Sequence, residues 1–466
     1  MRQFLTVAAL TLSLQTPATA ALRPDQAAFR ALYQELVETN TTLSEGSCTL
    51  AAERMAARLK SAGFKDADLR LFSVPEHPKD GGLVAILAGT DPKAKAILLL
   101  AHLDVVEAKR EDWTRDPFIL VEENGYFYGR GTSDDKAHGA IFTDTLIRLK
   151  QAGTSLRRPL KLALTCGEET GGAFNGAEWL AAKHKDWIDA AFALNEGSVG
   201  IRDANGKAIS LGMQAGEKVY QDFRIEATNP GGHSSRPRPD NAITSLAAAL
   251  VRLGAYEFPV QFSDTTRAYF TETAKLTEPE VGAAMRRLLS HPQDQAANAI
   301  VSKDATFHSM LRTTCVATRL DGGHANNALA QRAGANINCR MFPGDAIDDV
   351  QAQLVAAISD STISISTVGE ISPTPPPPLT PLVYDTAKKI AKKYFPGVPM
   401  LPAMATGATD GRFLNAAGIP TYGVPGRFSD PDGNGVHGLN ERKSVQGLYV
   451  ERDYLFDLIQ AYGNSR

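Results

Sequence analysis

Gly129-Arg130-Gly131-Thr132-Ser133-Asp134-Asp135-Lys136 joins a short aromatic run, 126–128, to a segment with helical spacing, 137–150. The glycines permit the tight backbone turns that such a junction needs. Two adjacent carboxylates therefore stand where a strand meets the N-terminus of a helix, a position that tolerates negative charge. Taken alone, the pair Asp134-Asp135 is equally typical of an acidic helix cap. Its function depends on which other residues gather around it.

Short apolar runs alternate with helical patterns in the first half of the chain. Four of the runs, 83–87, 96–100, 160–164 and 190–194, have the length of buried strands, and helical patterns at 137–150 and 174–185 lie between them. This alternation is typical of an α/β fold in which helices cover both faces of a mostly parallel sheet. With 466 residues the chain is long enough for two or three domains.

The composition changes after about residue 215. Strand-like runs at 219–227, 311–317 and 334–341 alternate there with helices at about 240–254 and 345–358, and we interpret 262–309 as helices with loops. Prolines recur over 373–381. Such a run is stiff and extended, which suits a connection between domains. The alternative is a proline-rich recognition segment.

The formal charge of -3 gives no electrostatic footprint for a nucleic acid or an anionic membrane. Residues 1–20 have the pattern of a secretory signal, with Arg2, an apolar run over 4–14 and a cleavage site at Ala18-Thr19-Ala20. The alternative is a membrane anchor, but the run is shorter than the ~20 residues that span a bilayer. We therefore expect an exported protein that is secreted or periplasmic.

Export would place the four cysteines in a compartment that permits disulfides. Cys315 and Cys339 lie in two strand-like runs and would bond if their Cα atoms came close enough. Buried free thiols are the commoner outcome, and free thiols are our expectation. Cys166 has no neighbour at the spacing of a cysteine zinc site.

Polar side chains follow several of the predicted strands at the point where each strand ends. In open α/β sheets the ligand crevice lies beyond the carboxyl ends of the strands. Together with the junction at 129–136, four strand ends would thus deliver acids and a histidine to one edge of the sheet. These residues are His102, Asp104, Asp134, Asp135, Glu168, Glu169 and Glu196.

So many carboxylates at one edge raise each other's pKa values unless a cation compensates their charge. The neighbouring sequence offers too few lysines and arginines, whereas a divalent metal would compensate directly. Mixed histidine and carboxylate ligation suits zinc, with manganese or cobalt as alternatives. The set exceeds the needs of one tetrahedral ion and matches two ions ~3.5–4 Å apart that share one carboxylate. For any single residue, the alternative is a solvated loop acid.

The adjacent acids Glu168 and Glu169 suggest two different tasks. Neighbouring residues in a loop can point in different directions, so one carboxylate can bind metal while the other stays free. A free carboxylate beside a metal can accept a proton from an activated water molecule. The residues alone do not decide which acid has which task.

Several motifs occur in the order seen in the M20 metallopeptidases, which the chain resembles over nearly all of its predicted mature length. Trp113 with Asp116-Pro117-Phe118, and Leu311-Arg312-Thr313-Thr314, are most similar to the branch of carboxypeptidase S and the N-acyl-amino-acid hydrolases. The motifs shared with the wider family are His102-Leu103-Asp104, Gly129–Lys136, Glu168-Glu169, Asn195-Glu196-Gly197, Gly231-Gly232-His233-Ser234-Ser235, Asn336–Gly344 and His437-Gly438.

The resemblance implies a role for each matching residue. Asp134 would bridge two metals, with His102 and Glu196 completing one site and Glu169 and His437 completing the other. Glu168 would be the general base, and Asp104 would orient His102.

Three further roles follow from the resemblance. His233 would stabilise the oxyanion, in relatives often across a dimer, and its alternative is a turn residue. Arg340 would hold a substrate carboxylate, and its alternative is a solvated arginine on an edge strand. Asn327 would lie near the substrate, although Ala330 stands where the family usually has proline.

The resemblance also implies an architecture and an activity. Residues 21–214 and 374–466 would form a discontinuous catalytic domain, and 215–373 an inserted, smaller α+β domain that acts as a lid and forms a homodimer. The enzyme would hold two divalent metals, zinc first, and cleave an amide bond next to a free carboxylate in a small peptide, as a carboxypeptidase or dipeptidase does. The alternative is an N-acyl-amino-acid hydrolase, or aminoacylase. A remoter one is an inactive peptide-binding relative, which would lack a ligand or the base. We expect no nucleic-acid partner and no membrane span after signal removal.

Overall fold

A computed structural model describes residues 22–170, 174–369, 375–424 and 426–466. The predicted signal, 1–20, and the beginning of the proline run lie outside these residues. Within them, the strands are β1 (Leu69–Val74), β2 (His77–Leu87), β3 (Ile97–His102), β4 (Val121–Glu123), β5 (Tyr126–Tyr128), β6 (Leu160–Thr165), β7 (Phe192–Asn195), β8 (Gly200–Arg202), β9 (Ala208–Glu217), β10 (Val219–Thr228), β11 (Gly232–His233), β12 (Thr314–Gly322), β13 (Ala328–Leu329), β14 (Arg332–Met341), β15 (Ile363–Val368), β16 (Met400–Ala405), β17 (Thr421–Gly423), β18 (Phe428–Ser429) and β19 (Arg442–Ser444).

The helices of the described residues lie close to the segments with helical spacing. None of them has the length and the apolar composition that crossing a bilayer requires. They are α1 (Pro24–Glu38), α2 (Cys48–Ser61), α3 (Lys136–Gln151), α4 (Gly176–Lys183), α5 (Lys185–Ile188), α6 (Ala242–Gly254), α7 (Asp264–Thr273), α8 (Pro279–Ser290), α9 (Gln295–Val301), α10 (Ala305–Met310), α11 (Ile347–Ile358), α12 (Pro381–Tyr394), α13 (Gly411–Ala416) and α14 (Val445–Gly463).

A ten-stranded sheet forms the larger layer, in the order β1-β2-β6-β3-β7-β17-β9-β8-β18, with β16 beside β9. Its centre, β6-β3-β7-β17, is parallel, whereas antiparallel pairs lie toward its margins. Side chains of β3 alternate between two cores: Leu99 packs with the cluster around α1, α2, α3 and α14, and Leu98 packs with α4 and α13. The predicted α/β class with a mostly parallel sheet and helices on both faces is confirmed.

A second sheet is antiparallel throughout, in the order β12-β14-β10-β15. Helices α6 and α11 cover one of its faces around a core of their own. The chain enters this sheet at β10, directly after β9, and leaves it after β15. Helix α12 then packs in the core of the ten-stranded sheet. The described part of the proline run, 375–380, contains no helix or strand and connects β15 to α12.

One strand begins later than its sequence pattern predicts. The run 311–317 predicts a strand from Leu311, but β12 begins at Thr314. Leu311 belongs to the buried cluster formed by the preceding helices, and the Arg312 guanidinium donates to Glu257 and Ser302. These contacts hold 311–312 with the helices.

The segment 262–309 forms helices α7–α10, and its position was open from the sequence. The buried side chains of these helices pack with Leu401 and Met404 of β16 in one cluster. Thr265 Oγ1 also donates to Ala215 O of β9 over 3.0 Å. The segment is therefore packed against the ten-stranded sheet.

The expectation of free thiols is wrong, because all four cysteines are bonded in the structure. Cys315 and Cys339 are directly opposite each other in the β12–β14 ladder and form one disulfide. Cys48, the first residue of α2, forms the other with Cys166, which follows β6. A separation of 118 residues hides this pair in the sequence. The bond fastens α2 to the loop that carries Glu168 and Glu169.

Candidate metal centre and active site

The loop 129–135 is held by a carboxylate from a distant part of the chain. Buried Glu441 accepts hydrogen bonds from the backbone N–H groups of Gly131, Ser133 and Asp134, over 3.0, 2.7 and 3.1 Å. Arg130 Nη1 donates to the same carboxylate over 2.9 Å. Gly131 has φ +81°, a conformation that favours glycine. We call these donors and Glu441 the Glu441 socket. It ties the loop of Asp134 to the segment that carries His437.

His102 lies at the end of β3 and is buried. Its Nδ1 lies 3.0 Å from the backbone oxygen of Asp104 and 3.7 Å from the Asp104 carboxylate. That carboxylate accepts hydrogen bonds from the backbone N–H groups of Glu168 and Glu169, over 3.3 and 2.9 Å. Asp104 thus lies beside His102 as predicted and also shapes the turn that presents the two glutamates.

Asp134 lies between two histidines. Its Oδ1 is 3.2 Å from His102 Nε2, and its Oδ2 is 3.2 Å from His437 Nε2. Glu196 Oε1 is 3.7 Å from His102 Nε2, and Glu169 Oε1 is 2.8 Å from His437 Nε2. The five predicted metal ligands are therefore together, and each oxygen of Asp134 faces one of the two predicted sets.

The donor types fit a pair of divalent cations. Ligand atoms of His102, Asp134 and Glu169 lie within 4.8 Å of one another, as do those of His102, Glu168 and Glu196, and those of Asp134, Asp135 and Glu196. Burial raises the pKa of Glu196 well above its usual range, and the charge of Asp134 raises it further. Hydrogen bonds from His102 and His437 hold the pKa of Asp134 low against the effect of burial. Divalent cations would relieve the repulsion among the remaining carboxylates.

Glu168 lies beside this cluster and lines the cavity above it. Burial raises its pKa to about 8, and the nearby carboxylates of Asp410 and Glu169 contribute in the same direction. A carboxylate with a raised pKa close to metal ligands is suited to accept and return a proton. This position agrees with the role that the family resemblance implies for Glu168.

The Asp135 carboxylate contacts a buried histidine that is not among the five predicted ligands, although one of its oxygens also lies within 4.8 Å of Asp134 and Glu196. Its Oδ1 lies 2.5 Å from Nδ1 of buried His138, and it makes no side-chain cap of α3. His138 Nε2 is 3.4 Å from Glu451 Oε1, and Glu451 Oε2 is 2.5 Å from Lys443 Nζ. We call Asp135, His138, Glu451 and Lys443 the inner charge cluster. Its four charges balance when His138 is protonated.

Three residues of the predicted site lie elsewhere within the single chain. His233, on β11, and Asn327, just before β13, are exposed, and the backbone N–H of Ser234 donates to Asn327 O over 3.0 Å. Arg340, on β14, lies over the Tyr220 ring at 4.7 Å. None of the three lines the cavity at the metal ligands, as far as its described lining extends. Their predicted roles need a neighbouring chain or a closer approach of the second sheet.

Two supporting carboxylates were missed by the sequence reasoning. Glu441 forms the socket described above. Buried Asp410 accepts from Asn175 Nδ2 over 2.7 Å and contributes to the raised pKa of Glu168. The position of Glu441, four residues after His437, was the available signal, because segments that carry a ligand often carry its supporting residue. Asp410 offered no such signal.

A cavity of about 450 Å³ opens above the candidate ligands. One part of its wall consists of Asp134, Glu168, Glu196 and His437, and the remaining lining combines apolar side chains with uncharged polar ones and Arg427. The apolar side chains are those of Val199, Ile201, Tyr269, Met310, Leu401 and Met404. A second cavity, of about 570 Å³, lies on the other side of Arg427 and contains none of the candidate ligands. The smaller cavity is therefore the candidate active site.

The fold and this site are those of a metal-dependent hydrolase, with the candidate metal ligands at one edge of a mixed α/β sheet. The sequence profile of peptidase family M20/M25/M40 matches residues 98–461. The chain belongs to this family and is a metal-dependent amide hydrolase. The predicted family, reaction class and enzyme character are thus confirmed.

Individual relatives and solved structures agree with this assignment. The chain is 28% identical over 386 residues to the mouse N-fatty-acyl-amino acid synthase/hydrolase, covering 80% of this chain and 75% of the mouse protein. It is 28% identical over 385 residues to a probable carboxypeptidase S-like protein of Dictyostelium discoideum, covering 80% and 72%. An M20 family metallo-carboxypeptidase from Sulfolobus solfataricus has the same fold, with a TM-score of 0.68 and 17% identity over 95% of this chain and all of that one.

Proposed function

We propose that the protein hydrolyses the amide bond of N-acyl amino acids. The observation that carries this proposal is the charge distribution in the cavity. Apart from Arg427 and the carboxylates and histidine of the metal centre, its described lining residues are uncharged. A neutral acyl group fits such a wall, because no charged group must lose its water there. The name of the mouse relative supports the same substrate class.

Hydrolysis of small peptides is the second candidate, although the sequence alone placed it first. A dipeptide carries its α-ammonium group on the carbon next to the scissile carbonyl, and the described lining offers no carboxylate beyond those of the metal centre to bind that group. A carboxypeptidase substrate carries its ammonium group farther away. The carboxypeptidase S-like relative keeps this candidate open to test.

The chain's own residues supply positioning and proton transfer. His102, Asp134, Glu169, Glu196 and His437 would hold two divalent ions, which would supply Lewis-acid activation of a water molecule and of the amide carbonyl. Glu168 would accept the proton of the attacking water and pass it to the leaving amine. Arg340 would bind the carboxylate of the amino acid through its planar guanidinium.

Zinc is the proposed metal, since histidine together with carboxylate ligands suits it, with cobalt and manganese as alternatives. Elemental analysis of the purified protein should find about two divalent ions per chain. Chelation followed by dialysis should abolish hydrolysis, and added zinc should restore it. A metal-free sample with full activity would contradict the proposal.

We also propose a homodimer through the second sheet. His233 and Asn327 are exposed, and their predicted roles need a neighbouring chain or a closer approach of that sheet. Strand β12 is an edge strand of that sheet, and Val316 and Leu320 on it are 59% and 70% exposed. A free, partly apolar edge is a site where a second chain can add. Light scattering should give the mass of two chains. Mixing Glu168→Gln with His233→Ala protein should restore part of the activity if His233 acts on the partner's metal centre.

Export is proposed from the pattern of residues 1–20. The two disulfides support it, because such bonds persist in oxidising compartments. Expression of the full chain, fractionation of the cells and N-terminal sequencing should find a mature protein that begins after Ala20.

The deciding experiment compares two substrate series on purified, zinc-loaded protein. N-acyl-L-alanines should be hydrolysed with a higher kcat/KM than dipeptides that end in the same alanine. The free α-ammonium group is then the main difference between matched substrates. A preference for the dipeptides would favour the second candidate.

A further inference from the structure

Helices α7–α10 with their cap residues span 263–311, and two of these helices reach the candidate active site. Tyr269 of α7 and Met310 of α10 line the same cavity as Asp134 and Glu168. Their side chains are almost buried, with 8% and 3% of the residue exposed. The cavity is therefore completed by residues that lie far along the chain from the predicted metal ligands.

The contact between this segment and the ten-stranded sheet is part of the folded core. Tyr269 and Met310 belong to the same buried cluster as Met404 of β16. At the other end of the segment, Lys218 Nζ donates to Ser309 O over 2.9 Å, next to Met310. These contacts hold the apolar wall of the cavity at a set distance from the metal ligands.

We propose that the segment 263–311 sets the length of the acyl chain that the enzyme accepts, with Tyr269, Met310 and Met404 as the residues that limit it. This inference rests on the proposed hydrolysis of N-acyl amino acids and adds the part of the protein that selects among them. The scissile amide must lie at Glu168 and the metal ligands, so the acyl chain extends along the remaining wall. Tyr269, Met310, Leu401 and Met404 give that wall an apolar part, and methionine adapts well to an irregular hydrocarbon surface.

Burial of the substrate's acyl chain predicts how kcat/KM depends on the length of that acyl chain. Each methylene group that leaves water contributes about fourfold to binding. The value of kcat/KM should therefore rise with chain length while the chain fills the 450 Å³ cavity, and level off or fall once the chain meets the far wall. A shift in that turning point measures the position of the wall.

The experiment measures kcat/KM for N-acyl-L-alanines with acyl chains of two to sixteen carbons, on the zinc-loaded full chain. Met310→Ala enlarges the cavity and should move the turning point to longer chains. Met310→Trp should move it to shorter chains and lower the activity on long ones at least tenfold, while the acetyl substrate is little affected. Met285→Ala is the matched control, because Met285 is equally buried in the same cluster but does not line the cavity.

The outcomes separate the inference from the function on which it rests. A shift of the turning point in Met310→Ala but not in Met285→Ala supports the inference. Equal profiles in the wild type and Met310→Ala, or an equal shift in Met285→Ala, would overturn it while leaving the hydrolysis of N-acyl amino acids established. A wild-type protein that cleaves no N-acyl-L-alanine of any length would overturn the proposed function and the inference together. If Met310→Trp does not fold, Met310→Ala still decides.

Discussion

Asp134 and Asp135 are adjacent in sequence and belong to two different electrostatic environments. Asp134 lies in a cluster where Glu168, Glu169 and Glu196 add negative charge and the two histidines are the near donors. Asp135 lies in the inner charge cluster, where His138 and Lys443 match it and Glu451. Among these residues, the cluster of Asp134, which we call the outer cluster, has an excess of negative charge, and the inner charge cluster is balanced when His138 is protonated. The charge of buried Arg427 acts on carboxylates of both clusters.

The difference separates a binding site from a structural core feature. A buried cluster with balanced charges needs no further cation, and removal of one member leaves an uncompensated buried charge. A cluster with uncompensated carboxylates raises its own pKa values and lowers stability unless a cation binds. The comparison therefore predicts different consequences for mutations in the two clusters.

The largest expected effect is on turnover and belongs to the outer cluster. Glu168→Gln should lower kcat by ~10²–10⁴-fold, because the amide cannot accept the proton of the attacking water. The metal content, measured by elemental analysis, should stay at the wild-type value. Glu169→Gln is the control, since it should lose metal as well as activity. Wild-type kcat in Glu168→Gln protein would remove Glu168 from the role of base.

The next effect is on stability and belongs to the inner cluster. Glu451→Gln should lower the free energy of unfolding by ~3–5 kcal/mol, because Lys443 and His138 lose a buried partner. Denaturant titration measures this loss, and metal content should not change. The double change Glu451→Gln with Lys443→Met should recover part of the loss. Loss of metal without loss of stability would mean that the two clusters are not separate.

A smaller effect is expected at the boundary between the clusters, in the Glu441 socket. Glu441→Gln should weaken metal binding by ~10–100-fold, because the backbone donors that hold Asp134 lose their charged acceptor. Competition with a chelator measures the affinity. Arg130→Met is the matched control, since it removes the ion pair with Glu441 but leaves the backbone donors in place. An equal loss of affinity in both variants would show that the ion pair with Arg130, and not the backbone donors, is responsible.

The smallest effect is a dependence of stability on pH. Burial lowers the pKa of His138, but Asp135 and Glu451 outweigh it and raise the pKa to about 9 from 6.5. Protonated His138 therefore contributes stability that is fully present below pH 6.5 and is lost as the pH rises through 9. The difference in unfolding free energy between the wild type and His138→Gln should narrow over this range. A constant difference from pH 6 to pH 9.5 would contradict the assignment of charge to His138.

Much of the fold and of the metal centre could be predicted because the signals are local. The residues of β3 and β6 are continuous apolar runs, since both faces of the central sheet are covered. His102 and Glu168 follow such runs directly, and the ends of parallel strands meet at one edge. Residue type and strand position therefore predicted that His102 and the carboxylates gather at one edge, whereas the choice of ligands among them, and His437, came from the family resemblance.

Other features depend on contacts that no local pattern encodes. The sequence pattern was equally typical of a helix cap at Asp135, but the structure places its carboxylate against His138 and shows no side-chain cap. Cys48 meets Cys166 because α2 lies over the end of β6. The segment 262–309 packs against β16, where it completes the cavity.

The sequence by itself determined the α/β class, the alternation of strands and helices, and the chemistry of the metal ligands, because each follows from side-chain type at a local spacing. Only the tertiary structure decided that Asp135 packs against His138, that Glu441 holds the loop of both aspartates, and which helices line the candidate cavity. Those outcomes depend on the packing of segments that are far apart in the chain, and the energy of such packing is shared by both partners.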